Sequence, residues 1–277
     1  MEIHDLSGPW GRLRVAELGA CVLGWRPAGH DEVLFTAREA RLVPGSMWHG
    51  GIPVCAPWFG SGRGAFPVPF THGLVSRVPW RTLEVTSDER GARVRLAVES
   101  PALAHLPGAG RYPDDLGYRL DVTADARRLR LELTVDSPTR DTVVDIALHP
   151  YLRCEAPEAT VTGLDGVRFV DYAQGAAPGV EFAPVGVGRA VDRVYAAAPP
   201  TRLTDGAREL RLSGAGARNV VVWNPGPGGA QVADGQWREF ACLEYGCVQG
   251  GAVAIPAGGS HTLGLTVAVA PGPVAGR

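Results

Sequence analysis

Apolar and polar residues alternate in many short segments of this chain. Such alternation puts every second side chain on one face and is typical of a β-strand that is buried on one side. The pattern predicts strands over residues 12–18, 82–85, 92–98, 118–123, 129–135, 142–148, 167–170, 208–213, 220–223, 239–244 and 261–269.

Glycine and proline interrupt the alternating segments at about strand length. The chain holds 37 glycines and 23 prolines, and no long stretch carries the apolar stripe of a helix. We therefore predict an all-β fold. So many strands must close on themselves or pack face to face, because open sheet edges invite association. A large antiparallel β-sandwich is the expected architecture.

Three segments are predicted to be loops, at residues 41–64, 101–117 and 175–190. Loops on a β scaffold are common positions for a functional site. Neither an internal repeat nor a break in composition divides the 277 residues, so we expect one domain over 1–277. We expect residues 270–277, which contain Pro-Gly-Pro, to form a mobile tail.

The composition narrows the classes of partner. The chain is 45% hydrophobic and 20% charged, as soluble globular proteins are, and its formal net charge is -2. This charge gives no electrostatic reason to expect nucleic acid or an anionic membrane as a partner. All 27 basic residues are arginines, so chemistry that needs a lysine Schiff base is excluded. We expect a small neutral or modestly charged ligand.

The five cysteines are widely spread, and their odd number cannot form a complete disulfide framework. Cys242 and Cys247 are too far apart for a Cys-x-x-Cys pair, and no histidine lies within ligand spacing of them, so we expect no structural zinc and no other metal. We also expect no cofactor. The first residues lack the basic and apolar regions of a signal peptide, and no apolar run reaches the length of a membrane span. We expect a cytoplasmic protein that is a monomer or a weak dimer.

His149 follows directly after the strand segment 142–148, and the alternation of that segment indicates which way its side chain faces. The pattern puts Asp145 and His149 on one side, with apolar residues on the other side that should face the core. His149 then faces an open or concave surface. The alternative is a histidine that merely caps the strand end before Pro150.

Glu244 shares its side of the segment 239–244 with Phe240 and Cys242. A carboxylate in such apolar company is either paired with an arginine for structure, or has a raised pKa that suits a general base. The pattern leaves both interpretations open.

His72 and Asp192 are two further candidates. His72 follows a rigid segment rich in proline and precedes Gly73, which permits a close turn. Asp192 either binds the hydroxyl groups of a sugar or forms a salt bridge with Arg193 or with another arginine. A histidine and a glutamate on opposite sides of one small molecule could move protons in opposite directions at neutral pH.

Six strings around these residues occur in order along the chain: GGIPVCAPWFG at 50–60, HGL at 72–74, ALHPYL at 147–152, VDRVY at 191–195, VVWNP at 221–225 and CLE at 242–244. Together they resemble the aldose 1-epimerase (mutarotase) family, most closely its glucose-6-phosphate 1-epimerase branch. The resemblance implies the galactose-mutarotase-like β-supersandwich. It also implies an isomerase that interconverts α and β anomers of an aldohexose or hexose 6-phosphate.

The resemblance also implies residue roles. Glu244 matches the general base of the family and His149 its general acid. His72 matches a histidine that helps to hold the ring oxygen, and Asp192 matches an aspartate that binds sugar hydroxyls. A non-catalytic carbohydrate-binding or regulatory protein on the same fold is the alternative from a different class.

Two positions depart from the family pattern. His49 and Ser76 each occupy a position where the family commonly has an arginine. Arg77 lies one position after Ser76. Histidine and serine offer fewer donors and less fixed charge to phosphate than arginine does. Arg77, or Arg63 in the preceding loop, compensates only if its side chain turns into the pocket. We include His49 and Arg77 with Asp192 among the predicted substrate-binding residues.

Overall fold

The computed structural model describes residues 1–64, 67–233 and 235–270. Its strands, in chain order, are β1 (Ile3–Gly8), β2 (Gly11–Ala16), β3 (Val22–Pro27), β4 (Val54–Cys55), β5 (Arg81–Ser87), β6 (Gly91–Glu99), β7 (Gly117–Asp125), β8 (Arg128–Ser137), β9 (Thr142–Val144), β10 (Ile146–Leu148), β11 (Tyr151–Arg153), β12 (Thr160–Thr162), β13 (Arg168–Asp171), β14 (Ala177–Val180), β15 (Val185–Gly186), β16 (Val191–Tyr195), β17 (Thr201–Thr204), β18 (Glu209–Ala215), β19 (Asn219–Asn224), β20 (Phe240–Cys247), β21 (Val253–Ile255) and β22 (Gly259–Val269).

The helical segments among the described residues are short turns of 3₁₀ type: Val75–Arg77, Ser100–Leu103, Ala109–Arg111, Tyr172–Gln174, Gln236–Glu239 and Gln249–Gly251. No helix in this described part of the chain is long and apolar enough to cross a membrane.

Two large sheets dominate the fold. The first, here called the site sheet, has the strand order β14-β13-β16-β19-β20-β10-β4, and β11 also pairs with β20. The second, the back sheet, has the order β15-β12-β17-β18-β22-β8-β7-β6-β5. Two smaller sheets, β1-β2-β3 and β21-β9, complete the described structure.

The core lies where the large sheets meet. Alternate residues of the site sheet, such as Leu148, Val222 and Leu243, share one apolar cluster with Leu133 and Leu265 of the back sheet. All five are fully buried or nearly so. Because neighbouring residues of a strand point to opposite faces, the site sheet keeps its other face for the residues between these positions.

The predicted all-β antiparallel sandwich is confirmed, since every pairing between the named strands is antiparallel. Each predicted strand overlaps an observed one, and the segment 142–148 divides into β9 and β10 at Asp145. Strands β4, β14 and β15 lie within segments predicted as loops. They have two to four residues, too few for alternation to be visible.

β3 gave no alternating signal because most of its residues are buried on both faces. All five cysteines are free and buried. Apart from Ala270, the predicted mobile tail lies outside the described residues, and the single domain over 1–277 stays a prediction.

Two buried tyrosines provide a test of the core. The hydroxyl of Tyr118 has no hydrogen-bond partner among the described residues, whereas that of Tyr245 lies 2.8 Å from the carbonyl oxygen of Pro199 and 2.9 Å from Oγ1 of Thr201. We expect Tyr118→Phe to leave the free energy of unfolding unchanged or to raise it by up to about 1 kcal/mol. Tyr245→Phe should lower it by about 1–3 kcal/mol. Urea denaturation measures both, and the opposite ranking would contradict these assignments.

Candidate active site

The pairing of β20 with two successive strands brings His149 beside Glu244. β10 pairs with the end of β20 so that Leu148 faces Tyr245, and β11 pairs with its beginning so that Tyr151 faces Cys242. The same register continued through the interval sets His149 opposite Glu244. The interval falls here because Pro150 has no N–H with which to continue a ladder.

One face of the site sheet carries the candidate residues. His149, Glu244, Val221, Trp223 and Asp192 all line a cavity of about 560 Å³. Their side chains share this face because Val221 pairs with Glu244 and Asp192 pairs with Trp223 across neighbouring strands. The predicted alternation in β20 is therefore correct, and Glu244 faces the cavity while Leu243 faces the core.

Loops and a 3₁₀ turn outside the sheet also line the cavity, and they contribute His72, His49 and Arg77. The six predicted site residues therefore all line one cavity. Its volume lies within the ordinary range for small-molecule sites.

Two hydrogen bonds with Gly60 hold His72. Its backbone N–H donates to the carbonyl oxygen of Gly60 at 3.1 Å, and the N–H of Gly60 donates to Nδ1 of His72 at 3.4 Å. Because Nδ1 accepts, the neutral ring carries its proton on Nε2. Burial above all, and secondarily the proximity of Arg77 and His49, lower the pKa of His72 to about 4, which keeps the ring neutral at pH 7.

His149 and Glu244 form the closest pair of ionisable side chains in the cavity. Nε2 of His149 lies 3.3 Å from Oε1 of Glu244, and the two side chains are 5% and 1% exposed. Nδ1 of His149 and Oε2 of Glu244 have no hydrogen-bond partner among the described residues. Buried polar atoms normally have partners, so these two atoms are candidates for contact with a ligand in the cavity. Glu244 is therefore paired with the histidine rather than with an arginine.

Burial favours the uncharged forms of both residues. It raises the pKa of Glu244 well above its ordinary value, with a smaller contribution from Asp192, and it lowers the pKa of His149 well below its ordinary value, with a smaller contribution from His72. In the empty cavity these shifts favour a carboxylic acid beside a neutral imidazole, with one proton on the pair.

Asp192 faces the cavity. The alternative that it forms a salt bridge with an arginine is not observed among the described residues. Arg193 points to the other side of β16, where Nε donates to Asp171 at 2.9 Å and Nη1 donates to Glu181 at 2.8 Å. Burial, and secondarily the charge of Asp171, raises the pKa of Asp192 to about 6.

Arg77 and Arg63 have different surroundings. Arg77 lines the cavity and is only 7% exposed. Its guanidinium donates to the carbonyl oxygens of Gly73, Gly45 and Thr71 at 3.1, 2.7 and 3.1 Å. Arg63 instead pairs through Nε with Oδ1 of Asp145 at 3.0 Å.

The structure gives a supporting role to Asp145, which the alternation placed on the side of His149 but which was not among the predicted site residues. This buried carboxylate accepts from the backbone N–H of Phe59 at 3.4 Å and of Gln249 at 3.0 Å. It thereby ties two walls of the cavity to Arg63. Burial raises the pKa of Asp145 to about 6 in spite of that arginine. The sequence did offer a signal for this residue, since Asp145 is a single aspartate within an otherwise mostly apolar strand segment.

Aromatic side chains surround His149, and two of them, Tyr151 and Trp223, were not predicted to have a role. Its ring stacks on Tyr151 with 4.9 Å between centroids, and it meets the edges of His72 at 5.2 Å and Trp223 at 6.3 Å. Tyr151 and Trp223 both lie within the quoted family strings, and both line the cavity. Their packing fixes the orientation of the imidazole and keeps water away from it.

Outside the cavity, Glu2, His4 and Glu17 bring their potential ligand atoms within 4.8 Å of one another. These groups already have protein partners, since Nε2 of His4 lies 2.8 Å from Oγ1 of Thr82 and Glu17 accepts from the backbone N–H of Glu2 at 2.8 Å.

Comparison with known proteins identifies the family. The family model described as aldose 1-epimerase matches residues 7–267. The chain belongs to the aldose 1-epimerase family. A relative from Salmonella typhimurium named "Putative glucose-6-phosphate 1-epimerase" is 28% identical to this epimerase over an alignment of 254 positions, and the match covers 88% of this chain and 82% of the relative.

Solved structures agree with the family. The crystal structure of a "putative mutarotase" from Salmonella typhimurium has a TM-score of 0.85 and 25% identity, and the match covers 97% of this epimerase and 90% of that chain. A galactose mutarotase related enzyme from Lactobacillus acidophilus has a TM-score of 0.70 at 10% identity, with 98% of each chain covered. The predicted galactose-mutarotase-like fold is confirmed. The epimerase is an isomerase that interconverts sugar anomers, and its substrate is a sugar or sugar phosphate.

Gly73 provides a test of how the His72 loop is held. At φ 75° it adopts a left-handed conformation, and a Cβ added there would lie 2.0 Å from the carbonyl oxygen of Ala56. Gly206 has φ 86° with nothing within 4 Å of such a Cβ. We expect Gly206→Ala to cost about 1 kcal/mol of unfolding free energy, and Gly73→Ala at least twice that. Gly73→Ala should also lower epimerase activity, because His72 is its neighbour.

Chemical denaturation and the epimerase rate measure the two effects. Equal stability losses for both variants, with full activity in Gly73→Ala, would contradict the tight contact between this loop and Ala56.

Proposed function

We propose that His149 and Glu244 open and close the sugar ring as an acid and a base. The observation that supports this most strongly is their contact at 3.3 Å inside the cavity, with Nδ1 of one and Oε2 of the other unpartnered. A histidine and a carboxylate in this arrangement can serve two oxygen atoms of one acetal carbon.

Ring opening follows from these two groups. The Glu244 carboxylate takes the proton of the anomeric hydroxyl while the His149 imidazolium protonates the ring oxygen. The bond between the anomeric carbon and the ring oxygen breaks, and an open-chain aldehyde forms. Rotation about the next carbon–carbon bond presents the other face of the carbonyl. The ring oxygen then attacks it, returning its proton to His149 while Glu244 protonates the carbonyl oxygen.

The pair needs one proton in total to work in both directions. The ring form reacts with a carboxylate and an imidazolium, and the open form reacts with a carboxylic acid and a neutral imidazole. Attraction between opposite charges favours the first arrangement, and burial favours the second. Because each half-reaction converts one arrangement into the other, the enzyme returns to its starting state after a full cycle.

His72 and Asp192 hold the sugar in this proposal. The neutral His72 ring donates its Nε2 proton to the ring oxygen, which supports the position that His149 protonates. Asp192, on the neighbouring part of the same sheet face, accepts hydrogen bonds from sugar hydroxyls. His49 and Arg77 complete the substrate-binding wall. All of these residues line the same cavity.

The wider setting of the reaction is also part of the proposal. The relative named for glucose 6-phosphate and the family description together favour an aldohexose or a hexose 6-phosphate as substrate. A monomer or weak dimer is part of the same proposal. We propose a cytoplasmic location because sugars and sugar phosphates are metabolised there.

Replacement of Glu244 tests the base. Glu244→Gln keeps the shape of the side chain and its uncharged state, so the fold should persist, but it removes the proton acceptor. We expect the enzymatic rate to fall roughly 10² to 10⁴-fold. Magnetisation-exchange NMR between the anomer signals of glucose, galactose and glucose 6-phosphate measures this rate.

Glu158→Gln makes the same chemical change at an exposed carboxylate outside the cavity and should leave the rate unaltered. If Glu244→Gln were as active as this control, Glu244 would not be the base.

The pH dependence tests Asp192 separately from the acid and base. Since the pKa of Asp192 is raised to about 6, its carboxylate forms as the pH rises through that value. We expect KM to fall between about pH 5 and pH 7.5. kcat should stay nearly level, because burial disfavours both the doubly protonated and the fully deprotonated forms of the His149–Glu244 pair.

Asp192→Asn is the matched control, and it should raise KM and remove its change near pH 6. A KM that kept the same pH dependence in Asp192→Asn would assign the titration to another group.

A further inference from the structure

We infer that the cavity takes an unphosphorylated aldose and that His49 accepts a hydrogen bond from one of its hydroxyl groups. This inference rests on the proposed function, because it names the class of sugar that the same site converts. It follows from the charges in the cavity and from the bonds that already hold its cationic and imidazole groups.

The fixed charges of the cavity do not favour a phosphate. Among the described residues that line it, Arg77 is the single guanidinium, and the chain contains no lysine. Two carboxyl groups, Glu244 and Asp192, face the same space. With one proton the His149–Glu244 pair carries no net charge, so Asp192 offsets Arg77, and the cavity has no surplus positive charge to balance the charge of about -1.5 to -2 that a sugar phosphate carries at neutral pH.

Arg77 is largely committed to the protein. Its Nε and Nη2 groups, one side of the guanidinium fork, donate to Gly73 and Thr71, and Nη1 donates to Gly45. The carbon at the centre of the guanidinium lies 3.8 Å from the ring centroid of Phe70. At most two of its five N–H groups remain. Turning it toward a phosphate would deprive three carbonyl oxygens in the loops above the cavity of their donor.

Arg63 is held away from the cavity in the same manner. It pairs with Asp145 at 3.0 Å and donates through Nη2 to the carbonyl oxygen of Val143 at 3.0 Å. Asp145 is fully buried, so moving Arg63 would leave that carboxylate without its counter-charge. Neither of the arginines that could have compensated for His49 and Ser76 is therefore free to do so.

The hydrogen bond made by His49 determines what its ring can recognise. Nδ1 lies 2.7 Å from the carbonyl oxygen of Gln231. A carbonyl oxygen only accepts, so Nδ1 carries the proton and donates. In the neutral ring Nε2 is then an acceptor, which suits the O–H of a sugar and not a phosphate oxygen, itself an acceptor.

The remaining polar wall agrees with this assignment. Ser46, Ser61, Thr71 and Gln231 line the cavity and offer hydroxyl and amide groups, which both donate and accept. Such groups match the hydroxyls of an uncharged sugar. Neutral donors bind a phosphate more weakly than an arginine pair would.

The test compares each sugar with its own 6-phosphate on the full-length protein. Magnetisation exchange gives kcat/KM for glucose and glucose 6-phosphate, and for galactose and galactose 6-phosphate, at about pH 7.5, where the phosphate is a dianion. We expect the unphosphorylated sugar to be converted with roughly tenfold or higher kcat/KM in at least one pair. Inorganic phosphate at millimolar concentration should not inhibit that reaction.

The outcomes separate this inference from the function on which it rests. A higher kcat/KM for both phosphates, or competitive inhibition by inorganic phosphate, would overturn the inference and leave the epimerase mechanism intact. No acceleration of any of the four sugars would overturn both.

Two variants of His49 test its role. His49→Arg adds a guanidinium to the wall, and we expect it to raise the ratio of kcat/KM for glucose 6-phosphate to that for glucose by roughly tenfold. His49→Gln changes the same position without adding charge, and its ratio should stay within about threefold of the wild-type ratio. Equal ratios in the two variants would contradict a specificity role for His49.

Discussion

The register between β20 and the two strands β10 and β11 is the constraint on which the site depends. Both strands pair with β20 in one continuous register, and Pro150 interrupts the ladder between them. The interval puts His149 opposite Glu244 at 3.3 Å, on the face turned away from the core. A shift of one residue in β20 would turn Glu244 into the apolar core and Leu243 into the cavity. The proposed catalytic contact and the packing of the sandwich therefore require the same alignment.

Burial then gives the pair its chemical character. An exposed histidine and glutamate would share one proton only over the interval between their ordinary pKa values, about 4.3 and 6.5. In this cavity a net positive pair and a net negative pair are both poorly solvated, so the one-proton state extends over a wider range of pH. The aromatic side chains around His149 maintain that environment, and Asp145 ties the loops that enclose it.

Local patterns were sufficient for much of the fold. The alternation in β6, β7, β8 and β22 predicted long strands of the back sheet, and the alternation in β20 gave the correct face for Glu244. The short strands at the rim of the site sheet were missed. Two to four residues carry too little periodic signal, and non-local pairing decides whether they form a strand.

The family strings predicted residues that line one cavity, but not what each of them contacts. The family strings brought His72, His149, Asp192 and Glu244 together before any geometry was known. Sequence alone did not decide whether Asp192 binds a sugar or forms a salt bridge with Arg193. The observed partners of Arg193 are Asp171 and Glu181, which lie on other segments of the chain. The bonds of Arg77 and Arg63 depend on loop conformation in the same way.

In the proposed mechanism, Glu244 and His149 act on the two oxygen atoms of one anomeric carbon. A crystal structure of Glu244→Gln with galactose bound tests it most directly, since the variant retains the cavity while turnover is slowed. We expect the anomeric oxygen within about 3 Å of the residue 244 side chain and the ring oxygen within about 3 Å of the His149 ring. A sugar bound with its anomeric carbon away from both residues would contradict it.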